Sequence, residues 1–91
     1  MIKRVIDHPG VIGVIVTQNQ KQPIFTNMDN NKTFLFANRL CDLKEIAHHT
    51  VRSIDPDDEL MVIRVKTNKY EIMDMLPSES QSIIVIQQNK I

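Results

Sequence analysis

The sequence is poor in the residues that several common functions require. Its single cysteine excludes an internal disulfide, and its two glycines, Gly10 and Gly13, do not have the spacing of a Walker or Rossmann phosphate loop. Basic and acidic residues balance at 11 each, so no basic block indicates nucleic-acid binding. Apolar runs such as 14–16 and 83–86 are far too short to cross a bilayer, and no signal peptide is evident. These absences favour a cytoplasmic protein that neither binds nucleic acid nor inserts into a membrane.

The chain is short enough to predict one domain over residues 1–91, with one small core. A chain of this size buries only a little over roughly 60% of its unfolded surface. A partner that covered more apolar surface would therefore add noticeably to its stability.

One long helix is predicted between Asn31 and Pro56. Asn30 or Asn31 is expected to cap its start, and Pro56 to end it, because proline has no N–H and restricts the preceding residue. Arg52 and Asp55 are expected to hold the helix end to the following turn. The residues predicted to face the core recur every three or four positions: Phe36, Leu40, Leu43, Ala47, Val51 and Ile54.

A second apolar patch on this helix consists of Phe34, Ala37 and Cys41. Because it lies well round the helix from the first, we expect it to contact the same helix of a second copy. Ordinary packing within one chain is the alternative. Roughly 23 helical residues span about 34 Å, whereas a five-stranded sheet is about 20–25 Å across. The helix is therefore expected to overhang its own sheet.

The rest of the chain predicts a short helix over residues 2–7 and five strands. Residues 11–17 and 82–87 are apolar at nearly every position, so both faces should be covered and both strands should be central. Gly13 indicates a helix or another backbone passing close by. The remaining predicted strands are residues 23–27, 60–66 and 70–76, with a loop over residues 77–81.

This order, α-β-β-α-β-β-β, predicts an α+β fold with a five-stranded antiparallel sheet and a long central helix. Hairpins place strands 23–27 and 60–66 at the two edges. The latter is long and exposed, and such an edge invites pairing with another chain. Two copies paired there would form a ten-stranded sheet with the long helices side by side. The predicted dimer interface consists of Phe34, Ala37, Cys41, Leu60, Val62 and Arg64.

The candidate ligands and nucleophiles lack the spacing of a metal or catalytic site. Cys41 and His48 are about 10 Å apart along a helix, too far to share a zinc ion, and His49 diverges from His48. The acidic turn 55–59 lacks the glycine and glutamate positions of an EF-hand. The serines of residues 78–82 have no paired histidine and acid nearby. We therefore predict no metal, no cofactor and no enzymatic activity.

Short motifs spread over almost the whole chain resemble the roadblock family of dynein light chains. The sequence TVRxIDP, followed by a strand and then EIM, is the most specific of them. The motifs are Gly10-Val11-Ile12-Gly13, Pro23-Ile24, Met28-Asp29-Asn30, Thr50-Val51-Arg52, Ile54-Asp55-Pro56, Glu59-Leu60, Arg64, Glu71-Ile72-Met73 and Ile84-Val85-Ile86-Gln87.

The resemblance implies a non-catalytic dimeric light chain of cytoplasmic dynein. Such a subunit would bind the dynein intermediate chain, help link the motor to cargo, and reside in the cytoplasm on the microtubule cytoskeleton. The dimer would contain two identical copies or this chain and a related light chain. Related roadblock-fold proteins serve as scaffolds or regulators of small GTPases, and the fold alone does not distinguish the two roles.

Four departures from the family pattern indicate a diverged member. The chain begins several residues later than is usual, which shortens the first helix. Lys21 stands where the first hairpin usually carries a glycine, so a different turn is expected. Gln81 and Ser82 replace an aromatic pair, and one extra residue lies between Met73 and Pro77. We expect a narrower set of partners or a tissue-restricted role as a result.

Overall fold

The computed structural model describes residues 10–19, 21–78 and 80–88. These residues form β1 (Val11–Gln18), β2 (Gln22–Thr26), α1 (Asn30–Ile54), β3 (Val62–Lys66), β4 (Tyr70–Ser78) and β5 (Gln81–Gln88). The strands make one antiparallel sheet in the order β2-β1-β5-β4-β3. The predicted α+β fold is confirmed, with the predicted strands at the centre and at the edges. The helix predicted over residues 2–7 lies outside the described residues.

The two central strands are buried on both faces, as their unbroken apolar sequences predict. Ile15 of β1 lies opposite Ile84 of β5 on the side that faces α1, and each is at most 1% exposed. Val14 and Val85 are also paired and point to the other side of the sheet, where they are equally buried. The sheet therefore has a covered surface on both sides at its centre.

The core between α1 and the sheet is small and mainly aliphatic. Leu40 of α1 packs against Ile15 of β1 and against Ile84 and Ile86 of β5. Three partly buried residues pack against this cluster: Met28, Phe36 and Ile72. Full burial of one such aliphatic side chain stabilises a fold by about 1.5–3 kcal/mol. These contacts hold the first half of α1 over the centre of the sheet.

Gly13 lies beneath the side chain of Met28. A Cβ atom at Gly13 would lie 2.8 Å from Met28 Cγ and closer still to Met28 Sδ. The sequence predicts a helix or a backbone segment at this position, and that prediction is wrong. The neighbour is a side chain from the segment between β2 and α1, which reaches the core because residue 13 has no side chain.

The helix α1 is capped by Asp29, whereas Asn30 or Asn31 was expected to be the capping residue. Asp29 Oδ1 accepts a hydrogen bond from the N–H of Lys32 at 2.8 Å. The backbone of Asp29 is still extended, and Asn30 is already helical, so the cap lies one residue earlier than predicted. A carboxylate at this position also favours the helix start electrostatically.

The end of α1 is fixed as predicted. The N–H of Asp55 donates to the carbonyl of Val51 at 3.0 Å, and Pro56 follows directly. Arg52 Nη1 donates to the carbonyl of Pro56 at 2.9 Å. Asp55 Oδ1 accepts from the N–H of Asp57 at 3.0 Å. Both Arg52 and Asp55 therefore connect the helix end to the turn that leads to β3.

The strand β4 continues through Pro77, which the sequence assigned to a loop. The pairing of β4 with β5 breaks register between Met75 and Ser78. Proline has no N–H to donate to a ladder, and it is tolerated where the ladder is already irregular. The irregularity therefore explains how β4 extends two residues beyond its predicted end at Leu76.

The strand β2 forms one edge of the sheet and is irregular. It contains Pro23, and its pairing with β1 shifts register between Val16 and Thr17. A proline and a register shift are both typical of sheet edges that do not recruit another strand.

Candidate partner-binding surface

The strand β3 is the second edge of the sheet formed by the described residues. Its pairing with β4 runs from Val62 to Lys66 without a register shift. Unlike β2, it contains no proline. This edge therefore offers regular, extended backbone to a further strand.

Two hydrogen bonds indicate which backbone groups of β3 face outward. The N–H of Leu76 donates to the carbonyl of Met61 at 3.0 Å, and the N–H of Thr67 donates to the carbonyl of Tyr70 at 2.8 Å. In an antiparallel ladder, hydrogen-bonded pairs alternate with pairs that exchange no bond. The backbone groups of residues 61, 63, 65 and 67 therefore face β4. The outward-facing groups belong to Val62, Arg64 and Lys66.

The side chains of β3 alternate between the two faces of the sheet. Ile63 lies opposite Asp74, and Asp74 lies opposite the core residue Ile84, so Ile63 is on the α1 side. Val62 points to the other side and is 50% exposed. The edge therefore has an apolar row on the α1 side and a more polar row on the opposite face.

Three of the predicted interface residues lie at or beside this edge. Val62 and Arg64 are exposed, and Leu60, just before β3, is half-buried. Arg64 forms an ion pair with Glu71 of β4 on the face opposite α1. The dimer contact assigned to these residues stays a prediction, since a single chain contains no partner.

The outer side of α1 carries exposed aliphatic residues that no described element covers. Leu35 is 55% exposed, Leu43 38%, Ile46 67% and Ile54 81%. We call these four residues the outer strip. Their spacing of eight, three and eight residues keeps them on the same broad side of the helix. Exposed apolar side chains that are grouped in this way mark an interaction surface more often than scattered ones do.

The predicted division of α1 into two apolar patches is wrong. Ala37 and Cys41, expected to contact a second copy, are buried within the chain at 2% and 4% exposure. Leu43 and Ile54, expected to face the core, belong to the outer strip. Phe34 is 55% exposed, but it lines a small groove beside β2.

A polar residue explains why the rotation of α1 differs from the prediction. The hydroxyls of Thr26 in β2 and Thr33 in α1 lie 2.8 Å apart and share a hydrogen bond. Thr33 is 2% exposed, so a threonine takes the first buried position of the helix. The pattern of recurring apolar residues omits Thr33 because threonine is polar. Steps of four, three and four from Thr33 nevertheless lead to the residues that face the sheet. These are Ala37, Leu40 and Lys44.

A row of buried polar residues lies on the α1 side of the sheet. Thr17 of β1, Ser82 of β5 and Asp74 of β4 are each at most 5% exposed. Thr17 Oγ1 and Asp74 Oδ1 have no hydrogen-bond partner in the described structure. Burial raises the pKa of Asp74 to about 6, while the charge of Lys44 and a hydrogen bond from Ser82 act in the opposite direction.

Asp74 was not singled out from the sequence, although a signal was present. It shares the parity of Ile72 and Leu76 along β4, so strand alternation places all three side chains on one face. A carboxylate in that row is buried whenever the apolar face is buried.

A groove of about 440 Å³ lies between α1 and the beginning of β3. The helix contributes Lys44, Glu45 and His48, and the opposite wall is mainly apolar. The residues of that wall are Glu59, Leu60, Met61, Leu76, Pro77 and Ser78. The groove adjoins the open edge, so a partner bound to β3 would border it.

The candidate metal ligands are not assembled into a site. Within residues 10–19, 21–78 and 80–88, no three histidine, cysteine, aspartate or glutamate side chains are grouped closely enough to hold a metal ion. Burial is the main cause that raises the pKa of the Cys41 thiol, which makes it a poorer nucleophile. Among the described helical residues, no segment is sufficiently long and apolar to span a membrane.

Comparison with known proteins identifies both a sequence family and similar folds. The sequence model for the Roadblock/LC7 domain matches residues 1–88. The fold is similar to that of a Roadblock/LC7 domain from Streptomyces avermitilis, with a TM-score of 0.85 and 9% identity, over 97% of this chain and 74% of that chain.

Two further solved structures are similar in fold. MglB from Myxococcus xanthus has a TM-score of 0.76 and 15% identity, over 94% of this chain and 71% of that chain. The gliding protein MglB from Thermus thermophilus has a TM-score of 0.77 and 4% identity, over 94% of this chain and 67% of that chain. At these identities the similarity concerns the fold alone.

Proposed function

Because the chain belongs to the Roadblock/LC7 domain family, we propose that it is a non-catalytic, dimeric scaffold that binds and regulates a small GTPase in the cytoplasm. The observation that carries the proposal is the regular open edge of β3, next to a helix with an uncovered outer strip. Such surfaces serve protein–protein contact. The described residues form no catalytic constellation beside them.

The open edge supports a dimer of two copies joined through β3. The outward backbone groups of β3, among them those of Val62 and Arg64, would pair with the open edge of a second copy. Two five-stranded sheets would then continue as one ten-stranded sheet. A heterodimer with a related chain uses the same edge and differs only in the identity of the second strand.

The length of α1 supports the same arrangement. The helix has 25 residues, about 37 Å in length, while the outer strands of a five-stranded sheet lie about 19 Å apart. It starts beside β2, where Thr33 contacts Thr26, and the turn after Ile54 leads to β3 at the opposite edge. Its last turns therefore extend toward the neighbouring sheet of a dimer.

The outer strip supplies the surface for a third protein. In the proposed dimer the two helices lie near each other, so the exposed leucines and isoleucines of both copies form one wide apolar area. Leu35 and Ile46 point most directly away from the sheet, and Leu43 and Ile54 lie on the flank. We assign the flank to helix–helix contact and the outermost residues to the GTPase.

A small GTPase is favoured over dynein because the fold occurs in bacterial proteins such as MglB. A fold shared with them is not tied to a dynein motor. The role of a dynein light chain that binds the intermediate chain is the second candidate, and the motifs Thr50-Val51-Arg52 and Ile54-Asp55-Pro56 favour it. Both candidates require the same dimer.

The proposal is tested in two steps. Light scattering of the purified chain at micromolar concentration should give the mass of two chains, and the mass of one chain would refute the dimer. The immobilised chain is then incubated with cell extract that has been stripped of nucleotide and reloaded with GDP or a non-hydrolysable GTP analogue. A small GTPase retained in one nucleotide state supports the first candidate. Dynein intermediate chain, retained regardless of nucleotide, supports the second and refutes the first.

A further inference from the structure

We infer the register in which two copies of β3 pair: Ile63 lies on the two-fold axis and faces Ile63 of the second copy. This inference rests on the proposed dimer and adds the residue-by-residue pairing of its interface. Two antiparallel copies of β3 related by a two-fold axis can place any one of residues 62–66 on that axis. The charges and the length of β3 distinguish these five registers.

Three of the registers bring like charges together. With residue 66 on the axis, Lys66 faces Lys66 of the second copy. With residue 64 on the axis, Arg64 faces Arg64 of the second copy, with Cα atoms about 5.5 Å apart. With residue 65 on the axis, Arg64 faces Lys66 in both halves of the interface. Like charges directly opposite each other destabilise a sheet. The acid on this face, Glu71, already pairs with Arg64 and lies opposite Lys66 in its own chain.

The register with residue 62 on the axis shortens the ladder. Within β3 it leaves one pair, Val62 with its equivalent, and the next pairs require residue 60. The chain has left the extended conformation shortly before that point. The N–H of Asp58 donates to the carbonyl of Asp55 at 3.1 Å, and the N–H of Glu59 donates to Asp58 Oδ1 at 2.8 Å.

The register centred on Ile63 opposes no like charges and keeps one more hydrogen-bonded pair within β3 than the register centred on residue 62. Val62 of each copy faces Arg64 of the other copy. Two hydrogen-bonded pairs therefore form within β3, and no like charges are opposed. The aliphatic stem of Arg64 can lie along Val62, which is half exposed in the single chain. On the α1 side, Ile63 meets Ile63 and extends the apolar row of the sheet across the seam.

Disulfide cross-linking of single-cysteine variants tests the register. Cys41, whose thiol is buried, is first replaced by alanine so that each variant carries a single cysteine. In this background we compare I63C with V65C, which lie on the same face of β3. In the inferred register the two copies of residue 63 are adjacent, whereas the two copies of residue 65 are about 13 Å apart. Mild oxidation should therefore link I63C at least ~10-fold faster than V65C.

A second pair of variants reports the same register from the other face. V62C and R64C should link slowly when each is oxidised alone and readily when the two proteins are mixed. Val62 and Arg64 are exposed, so substitutions at these positions should leave the chain folded. They therefore report the register even if I63C weakens the fold. Thermal unfolding of each variant checks that it remains folded.

The outcomes separate this inference from the proposed function. Fast linking of R64C, V62C or V65C alone, in a protein that retains the mass of two chains, would overturn the register and leave the dimer intact. The mass of one chain for the C41A background protein, with unchanged unfolding, would overturn the dimer and the register together.

Discussion

The side chain of Met28 occupies the space above Gly13 that the Cβ atom of any other residue would need. Alanine at this position would force Met28 to shift, and overpacking typically costs about 1–3 kcal/mol. The same change stiffens the unfolded chain, which recovers about 0.4–1 kcal/mol. We therefore expect Gly13→Ala to lower the free energy of unfolding by about 1 kcal/mol, measured by urea titration.

A double mutant identifies the cause of that loss. In a Met28→Ala background the space above residue 13 is vacant, so Gly13→Ala should cost less there than in the natural sequence. Equal costs in the two backgrounds would indicate that Met28 does not restrict residue 13.

Val62→Pro should weaken the dimer while leaving the chain folded. The N–H of Val62 points away from β4, so proline removes a hydrogen-bond donor from the open edge and none from the ladder of the single chain. Two such donors are lost per dimer, about 2 kcal/mol in all, which raises the dissociation constant roughly 30-fold. Light scattering across a dilution series measures this shift.

Ile63→Pro is the matched control for that experiment. The N–H of Ile63 faces β4, so its loss should lower the melting temperature of the chain itself. If Val62→Pro left the dimer mass unchanged at every dilution, pairing through β3 would be wrong.

Asp74→Asn should stabilise the protein at neutral pH and have little effect near pH 4. In the folded chain the pKa of Asp74 is raised from 3.8 to about 6 by burial, so the folded state holds its proton more tightly than the unfolded state does. Stability from this group is therefore present at low pH and is lost as the pH rises from about 4 to about 6. Above that range the loss is constant.

The difference between the two pKa values corresponds to about 3 kcal/mol at pH 7. Asparagine has the same shape and no charge, so Asp74→Asn should recover a large part of that amount. Urea unfolding of both proteins at pH 4 and pH 7 measures it. An equal difference in stability at the two pH values would show that ionisation of Asp74 is not the cause.

Ile46→Lys should abolish retention of the partner without destabilising the chain. Ile46 is 67% exposed, so a lysine is accommodated in the single chain within about 0.5 kcal/mol. In a complex, the lysine would place a charge in the centre of a desolvated contact. The measurement is the amount of the proposed GTPase partner retained on the immobilised variant.

Asn38→Lys is the control for the outer strip. Asn38 is exposed on α1 but lies outside the strip, and the substitution adds the same charge. It should retain the partner as the natural sequence does. Equal loss with both variants would point to an effect of net charge and argue against a contact through the strip.

The strand order was predictable because the apolar pattern that indicates it extends over many residues. The unbroken apolar runs of β1 and β5 place both strands at the centre, and the hairpins then leave β2 and β3 at the edges. The rotation of α1 was not predictable from apolar period alone. The face that α1 turns to the sheet includes the buried Thr33, whose hydroxyl lies 2.8 Å from that of Thr26, and this rotation leaves Leu43 at the surface.

The candidate surface was predictable in part for the same reason. The open edge follows from the strand order, and Val62 and Arg64 lie on it as expected. The outer strip follows from the rotation of α1, so it was missed along with that rotation. To predict that Asp74 is buried, its carboxylate would have had to be treated as part of the apolar row of β4.

The irregularity of β2 limits how far assembly can proceed. A sheet with two regular edges would add copies at both ends and grow into a fibre. Here the register shift at Val16 and Thr17, together with Pro23, makes the β2 border a poor acceptor, so β3 is the border of the described sheet that is suited to joining. The proposed association through β3 would therefore be self-limiting, and it would stop at a pair whose outer borders resist aggregation.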